Sequence, residues 1–351
     1  MSIRNMALAA AAGLVLTIGT AAAQQITGAG ATFPAPLYQK WGEAAEQPTG
    51  LKLNYQAIGS GGGINQITNR TVQFGATDAN LTAERLGQAN LFQFPTVLGS
   101  IVLVYNIPGV ESGKLRLTGE IVADMYLGKI RRWNDPRLVE LNRELTLPNL
   151  PIAPVYRADG SGTTFQFAGY LSIVSDEFKT SVGQGTSVPW KAGTGGRGNA
   201  GVAGIVRQTR GSIGYVEHAY AKQNNLAMAQ LRNKAGRFVY PTEDTFQSSA
   251  AAADWLSDPT FGITLLDQQG ENSWPIVAPT YILLPRNPTD VAASRNVMRF
   301  FDWAYGAEGD KLADELGYIP LPENVKNVVR QAWAREIKGP NGEAVWTGGG
   351  S

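Results

Sequence analysis

The chain has 351 residues, 43% of them hydrophobic and 17% charged, which is enough apolar material for a folded core and about the length of two domains. Lys and Arg number 30 against 29 Asp and Glu, so no basic field is offered to a nucleic-acid backbone and no acidic bias marks a solvating tail. With no Cys and one His, disulfides, thiol nucleophiles and Cys or His metal centres are excluded by count, and an ordinary Ser-His-Asp triad would have to run through His218.

In chain order, residues 1–23 read as a secretory signal: Arg4 supplies the positive start, Met6 to Ile18 the apolar stretch, and Ala21, Ala22 and Ala23 the cleavage site. Without Arg4 the mature chain, starting near Gln24, carries equal numbers of basic and acidic residues, and no Cys is present for lipid attachment. Ile26 to Pro36 (ITGAGATFPAP) predicts a strand end and a helix start, with Thr32 as cap, Pro34 and Pro36 in the first turn, and Leu37, Trp41 and Ala44/Ala45 on the buried face. Leu51, Leu53, Tyr55 and Ala57 alternate as on a half-buried strand and lead into Ile58 to Ile67 (IGSGGGINQI). Val72, Phe74 and Ala76 repeat the alternation before Asp78 and the helical stretch Leu81–Leu86. Phe94 to Asn106 and Trp274 to Leu284 are nearly continuous apolar runs, as in strands buried on both faces.

Ile152 and Val155 precede a third glycine loop, Tyr156 to Phe167 (YRADGSGTTFQF). Apolar residues at i, i+3, i+4, i+7 predict helices through Phe167–Val174, Val297–Ala304 and Val325–Ala332. Strands alternating with helices predict α/β layers with mostly parallel sheets. Pro148–Pro154 and Val182–Gly201 are read as loops, and Gly348–Ser351 as a linker-like tail outside the fold.

The glycine loops carry the chemistry. Each places Ser or Thr and Gly between a strand and a helix start, where unpaired N–H groups and close backbone approach make an anion site. Thr32, Ser60, Ser161 and Thr163 add hydroxyls, and Arg157 adds a planar fork of N–H donors. Asp159 is read as a buttress for Arg157 or the shaper of a D-G turn. Asp78 is either a turn or cap residue, or an acceptor for the proton that phosphate still carries near neutral pH and sulfate lacks.

Other motifs fall short. Gly193 to Gly198 satisfies G-x-G-x-x-G, with Glu217 about 20 residues on, but the Pro-containing segment before it is a poor strand, so it reads as a loop opening the helix Ala200–Gln208. Neither Ser60 nor Ser161 completes G-x-S-x-G, and Gly113-Lys114 and Gly128-Lys129 lack the Ser or Thr of a P-loop. His218 is read as exposed or hydrogen-bonded, and Trp133 and Trp190 as core or rim aromatics.

At these loops the sequence resembles the periplasmic phosphate-binding protein of the phosphate-specific ABC transporter. The matching stretches run in order over nearly the whole mature chain: TGAGATFPAPLYQKW, NYQAIGSGGGINQI, FGATDANL, LFQFPTVLGSIVLVYNIPG, LTGEIVADMYLGKIRRWNDP, RADGSGTTFQF, GGRGNAGVAG and GSIGYVEHAYAKQNNLA. The resemblance implies a two-lobe α/β periplasmic binding fold of type II, each lobe a mixed sheet flanked by helices. Lobe 1 would comprise 24–97 and 277–351 and lobe 2 98–276, with hinge crossings near Phe94–Val104 and Trp274–Leu284. It implies Thr32, Phe33 through its backbone, Ser60 and Asp78 as phosphate ligands from lobe 1, and Arg157, Ser161, Gly162 and Thr163 from lobe 2. It further implies a monomeric, non-enzymatic receptor in the periplasm, without cofactor or metal, whose partners are inorganic phosphate and the inner-membrane permease and ATPase. Departures from the family pattern are Thr77 before the acceptor Asp, Asn80 after it, Gly61 after Ser60, and Tyr156 where a second basic residue is common.

Overall fold

The computed structural model describes residues 23–348. The segment read as a signal lies outside the described residues apart from Ala23, as does the tail from Gly349. The larger sheet runs in the order 51–57, 24–30, 74–77, 276–285, 91–105, 212–217, 153–157, 194–196. The strand Leu91–Tyr105 is its axis. Its first ten residues pair antiparallel with Ile276–Pro285, from Leu91 opposite Pro285 to Ser100 opposite Val277, with a register shift between Thr280 and Tyr281. Its last five, Ile101–Tyr105, pair antiparallel with Ser212–Glu217. One continuous strand therefore runs through both halves of the molecule, and all fifteen of its residues are buried, as its apolar sequence requires.

The outer strands are parallel: Gln24–Gly30 lies between Leu51–Ala57 and Phe74–Thr77, and Ala153–Arg157 between Ser212–Glu217 and Thr194–Gly196. The two central strands are antiparallel to their neighbours, so the sheet is mixed rather than mostly parallel. Parallel neighbours need crossover helices, and these cover the faces. Ala35–Thr49, Ser60–Thr68, Val291–Ala304, Ala307–Leu316 and Glu323–Glu336 belong to the first half, and Gly119–Tyr126, Gly162–Val174 and Gly198–Gln208 to the second. A small second sheet joins Arg116–Leu117, Gln230–Arg232 and Phe238–Val239. No helix among the described residues is long and apolar enough to cross a membrane.

Each half has its own aromatic core. In the first, Phe301 meets Tyr38, Phe74 and Phe94 edge-on at 5.4–5.9 Å between ring centres. In the second, Phe167 stacks on Tyr215 at 4.1 Å and both contact Tyr126. These cores end in polar atoms at the contact between the halves. The Tyr38 hydroxyl is 2.8 Å from Thr96 Oγ1, and the Tyr215 hydroxyl is 2.6 Å from Thr164 Oγ1 and accepts the Arg157 N–H at 3.1 Å.

Several local expectations are corrected. Thr32 does not cap the helix Ala35–Thr49: Pro34 holds the cap position without a side-chain bond, and the Thr32 hydroxyl is taken by Asn199. The helix after Asp78 is Ala83–Ala89, and its cap is Thr82. Val72 falls outside the strand, and Phe74–Thr77 is wholly buried instead of alternating. His218 is neither exposed nor hydrogen-bonded at Nδ1: its ring packs edge-on against Phe246, and burial pushes its pKa down to about 4. Trp133 is core, with its indole N–H on Gly211 O at 2.9 Å.

Candidate functional site

Helix starts meet from both halves. Ser60 opens the helix Ser60–Thr68 from the first half, while Gly162–Val174, capped by Ser161, and Gly198–Gln208 approach from the second. These starts bring the positive ends of three helix dipoles to the junction, where several first-turn N–H groups are already bonded: Gly162 to Ser60 Oγ, Asn199 to Thr32 Oγ1 and Gly198 to Asp159 Oδ1.

The first half contributes Thr32, Phe33, Ser60 and Asp78, all buried, with Asp78 only 1% exposed. Thr77 Oγ1 donates to Ala79 O at 2.9 Å and accepts the Ala79 N–H at 3.0 Å, closing the turn that presents Asp78. Asp78 Oδ1 accepts the Thr280 hydroxyl at 2.9 Å, and Asp78 O accepts Gln166 Nε2–H at 2.6 Å. Burial raises the Asp78 pKa to about 7, against the lowering pull of Thr280, Arg157 and Ser60.

The second half contributes Arg157, Ser161, Gly162 and Thr163, also buried. Asp159 grips the Arg157 guanidinium in bidentate fashion, accepting Nε–H on Oδ1 at 2.8 Å and Nη2–H on Oδ2 at 2.5 Å. Burial pulls the Asp159 pKa up, but the guanidinium and the Gly198 N–H outweigh it and hold the carboxyl below its usual value. Arg157 Nη1–H donates to Thr163 Oγ1 at 3.2 Å. Of the five guanidinium N–H bonds this leaves two, one on each terminal nitrogen, which is the geometry of an end-on fork for an oxyanion. Tyr156, which departs from the family pattern of a second basic residue, stacks on Trp190 at 5.6 Å.

The halves meet through these same groups. Ser60 Oγ accepts the N–H of Asp78 at 3.3 Å and of Gly162 at 3.0 Å, and Gly61 N–H donates to Gly160 O at 2.9 Å. Gly162 has to be glycine for this approach, because a Cβ there would lie 2.6 Å from Asp78 Cβ, Asp78 Oδ2 and Ser60 Oγ. All nine residues singled out in the sequence therefore converge on one junction.

Sequence reasoning missed Asn199, Gln166, Tyr220, Thr280 and the pair Glu217–Tyr318. Asn199 Nδ2 lies 2.8 Å from Thr32 Oγ1 and 3.2 Å from Thr163 Oγ1. The Tyr220 hydroxyl donates to Thr32 O at 2.6 Å, turning the N–H of that same peptide, which belongs to Phe33, the opposite way. The Tyr318 hydroxyl lies 2.7 Å from Phe33 O and 2.9 Å from Glu217 Oε2, and burial holds Glu217 well above the usual carboxyl range. Asn199 follows the glycine run that was read as a helix opening, Gln166 lies inside the third glycine loop, and Glu217 was noted only for its spacing from Gly198, so each had a nearby signal but none was assigned to the site. Among the described residues no group of three or more His, Asp or Glu is placed to hold a metal ion.

Two α/β halves sharing strands, with a polar junction between them, define the two-lobe periplasmic binding-protein class. A phosphate-binding protein from Stenotrophomonas maltophilia shares this fold with a TM-score of 0.70 at 20% identity, over 93% of this chain and 99% of that one. The model of the PBP superfamily domain matches residues 17–308. The chain is 50% identical over 327 residues to the phosphate-binding protein PstS of Haemophilus influenzae, covering 92% of this chain and 98% of the relative. It is 49% identical over 327 residues to that of Pasteurella multocida, covering 93% and 95%. The chain belongs to the PstS family of the PBP superfamily.

Proposed function

We propose that this protein binds inorganic phosphate between its lobes in the periplasm and delivers it to the permease and ATPase of an inner-membrane phosphate ABC transporter, leaving the anion chemically unchanged. Family membership supports the class, and one observation carries the ligand. A buried arginine guanidinium and four buried hydroxyls, Thr32, Ser60, Ser161 and Thr163, gather at one junction with the buried carboxyl of Asp78, which no basic side chain among the described residues pairs. Above about pH 7, where Asp78 is ionised, a fully deprotonated oxyanion such as sulfate would meet that carboxyl as an uncompensated like charge. An anion that keeps a proton can donate it to Asp78.

In this reading Thr32, Phe33 through its backbone, Ser60 and Asp78 hold phosphate from lobe 1, and Arg157, Ser161, Gly162 and Thr163 from lobe 2. Asp159 aims the guanidinium and shares its charge. We assign lobe 1 to 24–97 and 277–351 and lobe 2 to 98–276, with the crossings near Phe94–Val104 and Trp274–Leu284 acting as the hinge. Segment 1–23 is the export signal, and the mature protein acts as a monomer. The test is phosphate uptake by cells that lack their own phosphate-binding protein but carry the cognate permease. Expression of this chain restores uptake and the Arg157→Ala variant, exported to the same level, does not; equal uptake with both would contradict the reading.

A further inference from the structure

Thr32 and Thr163 come from opposite halves, and both hydroxyl oxygens are already fully engaged as acceptors. Thr32 Oγ1 receives the Asn199 backbone N–H at 3.2 Å and an Nδ2–H of the same residue at 2.8 Å. Thr163 Oγ1 receives Arg157 Nη1–H at 3.2 Å and the other Nδ2–H of Asn199 at 3.2 Å. The amide cannot sit the other way round, because Asn199 Oδ1 accepts the Glu217 N–H at 2.9 Å, and a flip would set two donors against each other. Asn199 is fully buried.

A hydroxyl has two lone pairs and one proton. With both lone pairs occupied, each threonine can only donate. We infer that Asn199 is a positioning residue that fixes the proton polarity of Thr32 and Thr163, holding one O–H from each lobe as a donor toward the bound oxyanion. The inference rests on the assignment of those two threonines as phosphate ligands. It removes both threonines as acceptors for the ligand's own proton, in keeping with the role proposed for Asp78, because their oxygens have no lone pair left to receive it. It also makes one side chain the link between closure and recognition, since the Thr32 contact crosses between the halves and the Thr163 contact does not.

The test is a mutant cycle read by calorimetric titration of ligand-stripped protein with inorganic phosphate, with thermal melts run alongside. T32V/T163V is expected to weaken binding by roughly 100-fold, and N199A by about tenfold, as expected for two hydroxyls and for the loss of one polarising group. The decisive arm is N199A in the T32V/T163V background, where its effect falls to within about twofold because coupled groups are not additive. N199D keeps the acceptor for Glu217 N–H and the side-chain size, but its carboxylate draws both threonine protons away from the anion. It therefore weakens binding more than N199A does, and the excess shrinks once the hydroxyls are gone. A loss from N199A that is the same in both backgrounds makes Asn199 merely structural and overturns the inference, as does no loss at all. Unchanged affinity in T32V/T163V overturns the ligand assignment itself, a result the cycle separates from failure of the polarity step.

Discussion

A carboxyl group that is 1% exposed has lost most of its hydration, and the pKa of about 7 at Asp78 records that loss. The fold binds this proton more tightly than the unfolded chain, whose carboxyl has the ordinary value of 3.8. The favourable contribution is therefore complete below about pH 4 and is lost as the pH rises through 7, by at most on the order of 4 kcal/mol, since cleft opening would rehydrate the group. In phosphate-free protein the melting temperature of Asp78→Asn relative to the parent should accordingly climb between pH 5 and pH 8; a gap independent of pH would mean that Asp78 is not buried as a charge. Arg157→Ala removes the fork and leaves Asp159 without its partner. Calorimetry should show phosphate binding weakened by about 1.5–3 kcal/mol, the worth of a hydrogen bond to a charged group, and a loss within error of zero would exclude Arg157 as a ligand.

Among the elements, the helix Gly162–Val174 does most to shape the junction. Its cap, Ser161, accepts the Thr164 N–H at 3.0 Å, so Ser161→Ala should lower stability by about 1 kcal/mol as well as remove a donor. Gly162→Ala tests the close approach: the added methyl would collide with Asp78 and Ser60, so each half should fold while phosphate no longer raises the melting temperature. A normal ligand-induced rise would show that the halves need not approach so closely. The helix starts at Ser60 and Gly162 were legible as parts of the site because Ser, Thr and Gly at strand–helix junctions act through neighbours a few residues away, while the start at Gly198 was read only as a helix opening. Asn199, Tyr220 and Thr280 were not, because their partners lie 167, 188 and 202 residues off. Thr32 misled for the same reason: a cap-like position was claimed by an amide from the other half.

For the whole molecule, the two apolar runs were legible as buried strands, but not their direction. Periodicity says that Leu91–Tyr105 and Ile276–Pro285 are covered on both faces; it does not say that they lie side by side and antiparallel, which depends on how the chain returns across the sheet. That return makes the two lobes share strands, and it lets a charge-neutral protein grip an anion with local dipoles from both sides. Closure should be visible as a smaller radius of gyration in small-angle X-ray scattering when phosphate is added, with no contraction in Gly162→Ala. The most direct test of the central claim is competitive calorimetry at pH 8 on ligand-stripped protein. Phosphate should bind with the heat of a single site that a large excess of sulfate fails to suppress, and Asp78→Asn should lose that preference; sulfate competing as well as phosphate, or a preference untouched by Asp78→Asn, would contradict the account.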